Sequence, residues 1–315
     1  MFRSIASSTS KAYSSAFNAW AKFCAESPQG SIHPLYPTEE SLCFFLAWAF
    51  HRNLSHDTTR KYLYGIRAIL LGEGFTFPAY SDMPILEKVL RGWKKRSYAS
   101  SRKPRLPVTV AMLVTMHPLF SNLRYERMIW AALCTGVYGL FRTGEITALH
   151  GRSSRYPLIK HLTKISSSQY RLHLPSSKTD PFSLGVDVIL SANGTVTCPI
   201  AAIDAMLADR PNARPDEALF FYDQRPLSRK LLLQSMRFYL SAAGFNPDSY
   251  SGHSLRKGGA QSLYEAGVHP TDIQTLGRWK SISFKLYISM TAVMHARFSA
   301  IMAATKLSDP NDLSL

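Results

Sequence analysis

The sequence predicts a mainly α protein with a small β component (α+β), organised as two domains. Three observations predict it. Apolar residues recur at three- and four-residue steps from near the start of the chain to about residue 97. A polar, basic stretch with two prolines then interrupts the pattern. Period-two alternation appears in one short region of a second, otherwise helical half.

The first domain is expected over residues 1–100 as a bundle of four short helices. SSTSKAYSSAFNAWAKFCAE sets Tyr13, Phe17, Trp20 and Cys24 on one face. TEESLCFFLAWAF opens on Thr38 as N-cap, with Glu39 and Glu40 in the first turn, where carboxylates suit the helix dipole. HDTTRKYLYGIRAILLGEGF is a third helix, stopped by Gly72 and Gly74. MPILEKVLRGWKKRSY is a fourth. Residues 101–108 read as a basic linker, broken by Pro104 and Pro107.

The second domain is expected over residues 109–315. It begins with VTVAMLVTMHPLF and then YERMIWAALCTGVYGLFRTGEITAL, both helical in pattern. The apolar stretch Met128 to Phe141 reads as one buried helix, too short to span a bilayer. QYRLHLP and LGVDVILS alternate as strands around the turn SSKTDPFS, giving a small antiparallel hairpin or sheet. Helices return to the end. In the last of them, at about 290–308, Val293, Met294, Phe298, Ile301 and Met302 form an apolar stripe.

Composition narrows the function classes. The 315 residues are 46% hydrophobic and 18% charged, which excludes a disordered chain. The net charge is +16, from 37 Lys and Arg against 21 Asp and Glu, and so points to a polyanionic partner. The first residues, MFRSIASSTSKAYSS, lack the apolar core of a signal peptide, so nucleic acid is favoured over a membrane. Cys24, Cys43, Cys134 and Cys198 form no CxxC pair and read as buried thiols of a reduced protein, neither disulfide scaffold nor zinc ribbon.

Lys88, Arg91, Lys94, Lys95, Arg96, Arg102, Lys103 and Arg105 follow one another with no acidic residue between. A solvated helix end is the ordinary reading of such a run, and a nuclear import signal is another. The unbroken sign over eighteen residues favours phosphate contact, with Lys94, Lys95, Arg96, Arg102, Lys103 and Arg105 as the contacting strap.

Carboxylates are sparse and scattered, so no acidic metal cluster suggests itself. Phosphoryl chemistry would then lean on cationic side chains, and the planar fork of arginine suits phosphate oxygens. Two arginines stand in fitting contexts. Arg142 in GLFRTGEITAL has Glu145 three residues on, and that spacing on a helix lets the carboxylate orient the guanidinium. Arg256 in SGHSLRKGGA has His253 three residues before it. Lys178 lies in the hairpin turn, Trp279 in LGRWKS and Tyr287 in FKLYIS. Taken singly, each is commonplace: a surface ion pair, a solvated lysine, a core aromatic. Lys160 and Lys164 are weaker lysine candidates, and Tyr239, Tyr250 and Tyr264 are less well placed tyrosines.

The order Arg142, Lys178, His253-x-x-Arg256, Trp279, Tyr287 resembles that of the tyrosine recombinases, the family of phage integrases and Cre-like enzymes. GLFRTGEI looks like the family's first box and GHSLRKGGA through FKLYI like its second. The SKTDPF turn and the GRW…F-x-x-Y-I ending look more like recombinases of eukaryotic mobile elements of the DIRS and Crypton types. The step from Trp279 to Tyr287 is eight residues, where many bacterial members have nine. One residue turns a helical side chain by roughly 100°.

The resemblance implies a helical core-binding domain followed by a catalytic domain. It also implies a DNA strand transferase that cuts and rejoins double-stranded DNA without metal, nucleotide or other cofactor. Tyr287 would attack phosphorus and form a 3′-phosphotyrosyl bond. Arg142 and Arg256 would hold the non-bridging oxygens, and Lys178 would protonate the leaving 5′-oxygen. His253 would assist proton transfer. Trp279 would offer its indole N–H where commoner members have His, and Glu145 would support the arginine. A homo-tetramer on synapsed DNA follows, monomeric or not when free, with the terminal helix either exchanged between neighbours or packed on its own domain. Nuclear location is expected in a eukaryotic host, cytoplasm or nucleoid otherwise. Two alternatives stand beside it: a catalytically silent DNA-binding protein descended from a transposon recombinase, and a type IB topoisomerase.

Overall fold

In the computed structural model, the described residues are 7–28, 32–99, 105–148, 156–175 and 184–304. The chain divides into two compact units, Met1–Arg102 and Lys103–Leu315.

The first unit is a bundle of α1 (Ser7–Glu26), α2 (Glu39–His51), α3 (His56–Gly72) and α4 (Pro84–Ala99). Each start has a local cause. The Thr38 hydroxyl accepts from the Ser41 amide and so caps α2, and Ser55 does the same for α3 through Thr58. The Glu39 carboxylate of α2 accepts from the Ile85 and Leu86 amides at 2.6 and 2.9 Å, which satisfies the first turn of α4 from a neighbouring helix. Trp20, Phe45, Leu46, Leu63, Ile66 and Leu86 form the core and are all but fully buried.

In the second unit, α5 (Val110–Met116) leads to α6 (Arg124–Tyr138), whose residues Met128 to Val137 are all buried. A helix apolar on every side belongs at the centre of a domain. Around it lie α8 (Pro199–Ala208), α9 (Arg229–Ala242) and α10 (Ser254–Glu265). The sheet has three antiparallel strands in the order β1 (Leu162–Ser166), β2 (Gln169–Leu174) and β3 (Val186–Ser191). Tyr170, Leu172 and Leu174 point inward, opposite Leu190, Val188 and Val186. The strand-like alternation therefore locates β2 and β3, while β1, with only Leu162 partly buried, carries no readable period. A two-residue pair, β4 (Phe221–Tyr222) and β5 (Arg225–Pro226), completes the strands. The chain continues through α11 (Pro270–Leu276) to α12 (Ala292–Ala304). No helix of the described residues is long and apolar enough to cross a membrane.

The pattern YERMIWAALCTGVYGLFRTGEITAL predicts one long helix, and the structure breaks it. Helix α6 ends at Gly139, Leu140 takes a left-handed φ of +48°, and the chain restarts as the single turn α7 (Thr143–Ile146). A leucine in that region is strained and needs a compensating contact. The turn exposes the Gly139 and Leu140 carbonyls, and arginines of the site take them up.

Residues Arg105 to Val108 are attached to the second unit and do not hang free as a linker. The Leu106 amide donates to Ser249 O and the Val108 amide to Ser254 O, at 2.8 and 2.9 Å. Val108 is fully buried. Gly258 makes this seat: a Cβ there would stand 1.7 Å from the Val108 carbonyl oxygen. The neighbouring Gly259 lets α10 close on the end of α6 in the same way.

Candidate active site

Four chain segments meet at the end of α6. The first is the turn Leu140–Glu145. Arg142 precedes α7, and its Nη1 donates to Glu145 Oε1 at 2.6 Å. Its amide donates to Glu145 Oε2 at 2.9 Å. The i, i+3 spacing thus yields the expected ion pair, although Arg142 sits at a helix start rather than within a helix. Glu145 is buried.

The second segment is the start of α10. His253 precedes the helix and is exposed, whereas Arg256, one turn in, has 0% of its surface exposed. Arg256 Nη1 donates to Leu140 O at 2.6 Å and its Nη2 donates to Gly277 O. Its Nε is buried with no partner among the described residues. Burial first, then Arg142 and Arg278, pull Arg256 down to about 9, while Glu145 and Tyr287 oppose the shift.

The third segment follows α11. Gly277 has no room for a side chain, because the Trp279 ring folds back over it: an added Cβ would stand 1.5 Å from that ring. The indole is largely buried and covers Arg256, whose Cζ lies 4.1 Å from the ring centroid. Between Gly277 and Trp279, Arg278 adopts a left-handed φ of +59°.

The fourth segment carries Tyr287, which follows a 3₁₀ turn over Ile282–Leu286. Tyr287 Oη and His253 Nδ1 are 3.0 Å apart. The Tyr287 ring lies 5.2 Å from that of Trp279. Behind it, the buried Gln261 of α10 grips the next stretch of chain. Its Oε1 accepts from the Ser289 amide at 2.8 Å and its Nε2 donates to Ser289 O at 3.0 Å.

The structure therefore brings together Arg142, Glu145, His253, Arg256, Trp279 and Tyr287 from positions far apart in sequence. The rival tyrosines turn their hydroxyls to other partners, Tyr264 doing so from the same small core as Trp279 and Tyr287. Tyr239 and Tyr250 are buried, Tyr239 donating to Glu126, and Tyr264 donates to Met290 Sδ. Lys178 falls outside the described residues, as do Arg102 and Lys103. Lys160 and Lys164 are exposed, Lys164 over the Tyr170 ring. Of the strap, Lys94, Lys95 and Arg96 are exposed on α4, with Arg96 also over the Phe50 ring. Arg105 donates to the Asp248 carbonyl, so its guanidinium is engaged by its own unit.

Sequence reasoning missed two residues here. Gln261 gives no signal, because a buried glutamine with backbone partners reads like any polar helix residue. Arg278 does give one: it, and not Trp279, stands nine residues before Tyr287. Arg278 Nη2 donates to Glu145 Oε2 and to Leu140 O, both at 3.2 Å, and Nη1 donates to Gly139 O at 2.9 Å. Burial lowers its pKa, as does Arg142, against the pull of Glu145.

Residues 196–290 match the phage integrase family. That match covers less than a third of the chain. The matched span contains His253, Arg256, Arg278, Trp279 and Tyr287, while Arg142 and Glu145 lie before it. Among solved structures, the chain is similar to a XerH site-specific recombinase bound to palindromic difH substrate, with a TM-score of 0.62 and 15% identity. That match covers 93% of this chain and 77% of the other. A lambda integrase fragment (75–356), solved as a dimer on a core site, matches with a TM-score of 0.55 and 16% identity, covering 91% and 90%. The Tn1549 transposon integrase, solved with circular-intermediate DNA, gives 0.54 and 14%, covering 90% and 98%. At these identities the likenesses show the fold alone, which resembles that of tyrosine recombinases. No curated protein matches the chain.

Proposed function

We propose that the chain is a site-specific DNA recombinase that cleaves and rejoins double-stranded DNA through Tyr287. The observation that carries this reading is the 3.0 Å approach of Tyr287 Oη to His253 Nδ1 beside a cluster of arginines held by one carboxylate. A phenol poised against an imidazole can lose its proton as it attacks, and the arginines supply the field that phosphorus chemistry needs.

In the cleavage step, the Tyr287 proton passes to His253 Nδ1, and the phenolate oxygen bonds to phosphorus. The P–O5′ bond breaks, its electron pair stays on the 5′-oxygen, and Lys178 protonates that oxygen. Arg142 holds a non-bridging oxygen, oriented by Glu145. The phosphotyrosyl bond conserves the energy of the broken one, so the reverse attack by a 5′-hydroxyl rejoins the strand without a nucleotide or a metal ion. Trp279 forms the floor against Arg256 and Tyr287. Lys94, Lys95 and Arg96 contact the DNA backbone. Two duplexes must be cut in one event, which implies a tetramer on DNA. Helix α12 supplies an exchange element, with Ile301 and Met302 exposed on it. The resemblance of the SKTDPF turn and the GRW ending to recombinases of eukaryotic mobile elements favours a nuclear protein of such an element.

One observation favours a second reading, a silent DNA-binding descendant. Arg256 has none of its surface exposed and lies under the Trp279 indole, so phosphate reaches the N–H groups it does not already give to Leu140 and Gly277 only after this cover moves. Covalent trapping separates the two. Wild type and Tyr287→Phe are expressed in cells carrying candidate element DNA, lysed in SDS with chelator, and the DNA retained on protein is sequenced. Recurrent wild-type adducts that vanish in the Phe variant are expected. DNA bound in mild buffer with no adduct from either protein counts for the silent reading, or for a target site absent from the candidate DNA.

A further inference from the structure

Glu145 has two cationic neighbours, and the sequence points to only one. Arg142 takes its Oε1 and, through the main chain, its Oε2; Arg278 takes Oε2 from the other side. A buried carboxylate tied at one edge can still swing about its terminal bond. One tied at both cannot, and the guanidinium paired with it is then fixed in position. We propose that Arg278 is a positioning residue of the strand-transfer reaction, which fixes Arg142 through their shared carboxylate Glu145. This rests on the strand-transfer reading above.

Three further observations carry it. Arg278 keeps a left-handed backbone that a non-glycine residue avoids, and such strain persists where the surroundings over-determine it. Here its guanidinium reaches Gly139 O, Leu140 O and Glu145, and the Arg278 amide closes on Thr275 O at 2.9 Å. Leu140 O is also the acceptor of Arg256, so one carbonyl ties two arginines to the turn that bears the third. Finally, Arg278 lies between the Gly277 carbonyl that Arg256 grips and the indole that covers Arg256. A change at Arg278 therefore reaches the phosphate-facing groups without the residue itself touching substrate.

The test is a double-mutant cycle. Duplexes recovered from wild-type adducts are incubated with wild type, Arg278→Ala, Arg278→Lys, Glu145→Gln and the Arg278→Ala/Glu145→Gln double variant. Single-turnover adduct formation is timed, and DNA binding is measured in mild buffer. Arg278→Ala should slow adduct formation by about 10²-fold, the usual cost of displacing a catalytic group by an ångström, with binding within about threefold. Arg278→Lys should recover part of the rate, and it takes the place of Arg278→Ala if that variant does not fold. In the Glu145→Gln background, Arg278→Ala should add less than about threefold, because the route through the carboxylate is already cut. A full loss in both backgrounds overturns the proposal, as does an Arg278→Ala rate within about twofold of wild type. A wild type that forms no adduct overturns the strand-transfer reading itself, and is seen before any Arg278 variant is made.

Discussion

Arg256 is the residue in which stability and chemistry are most closely tied. It is a fully buried cation whose two terminal nitrogens close the turn after α6 and the loop after α11. Replacing it with Met leaves the Gly277 carbonyl without its donor, at about 1–3 kcal/mol, read by denaturant unfolding of the two proteins. The sign of its pH dependence follows from the shift. Because its folded value near 9 lies below the ordinary 12.5, the folded chain binds fewer protons than the unfolded chain between those limits. The cost of burying the Arg256 charge is therefore relieved as pH rises through that window. The difference in unfolding free energy between wild type and Arg256→Met should widen from pH 8 to pH 10. At the reacting pair, His253→Asn should slow adduct formation by about 10²-fold or more while leaving DNA binding intact, as removal of a proton acceptor does. Unchanged kinetics would remove His253 from the reaction.

At the scale of elements, what was legible depended on whether the cause was local. Thr38 before a run with carboxylates in its first turn announces the start of α2, because capping is an interaction within four residues. Alternation announces β2 and β3, because one face is buried. The break after α6 was not legible. Leu140 is a good helix former, and it is left-handed only because its carbonyl serves arginines more than a hundred residues away. Arg278 was hidden for the same reason, since the neighbouring tryptophan drew the role by resemblance while the arginine's partners Gly139, Leu140 and Glu145 lie more than a hundred residues earlier in the chain. Two substitutions test the packing that carries the site. Gly258→Ala should destabilise the second unit by about 3 kcal/mol, since its methyl group meets a backbone oxygen rather than a side chain that can move. Gln261→Leu keeps the volume but releases Ser289, and should slow adduct formation more than it weakens DNA binding, because it frees the segment two residues after Tyr287.

For the whole molecule, the net charge of +16 fits a polyanionic partner, and sequence alone suffices for that inference. Changing Lys94, Lys95 and Arg96 together to Gln should lower the slope of log affinity against log salt by about 3, nearly one for each phosphate that is no longer neutralised. An unchanged slope would place the phosphate-binding cations elsewhere on the chain. Tyr287 is expected to become covalently joined to DNA. The direct measurement is mass spectrometry of nuclease-trimmed adducts after trypsin. A nucleotide on the peptide that follows Lys285, localised to Tyr287, is the expected result. A nucleotide on any other residue, or adducts that carry none, would contradict it.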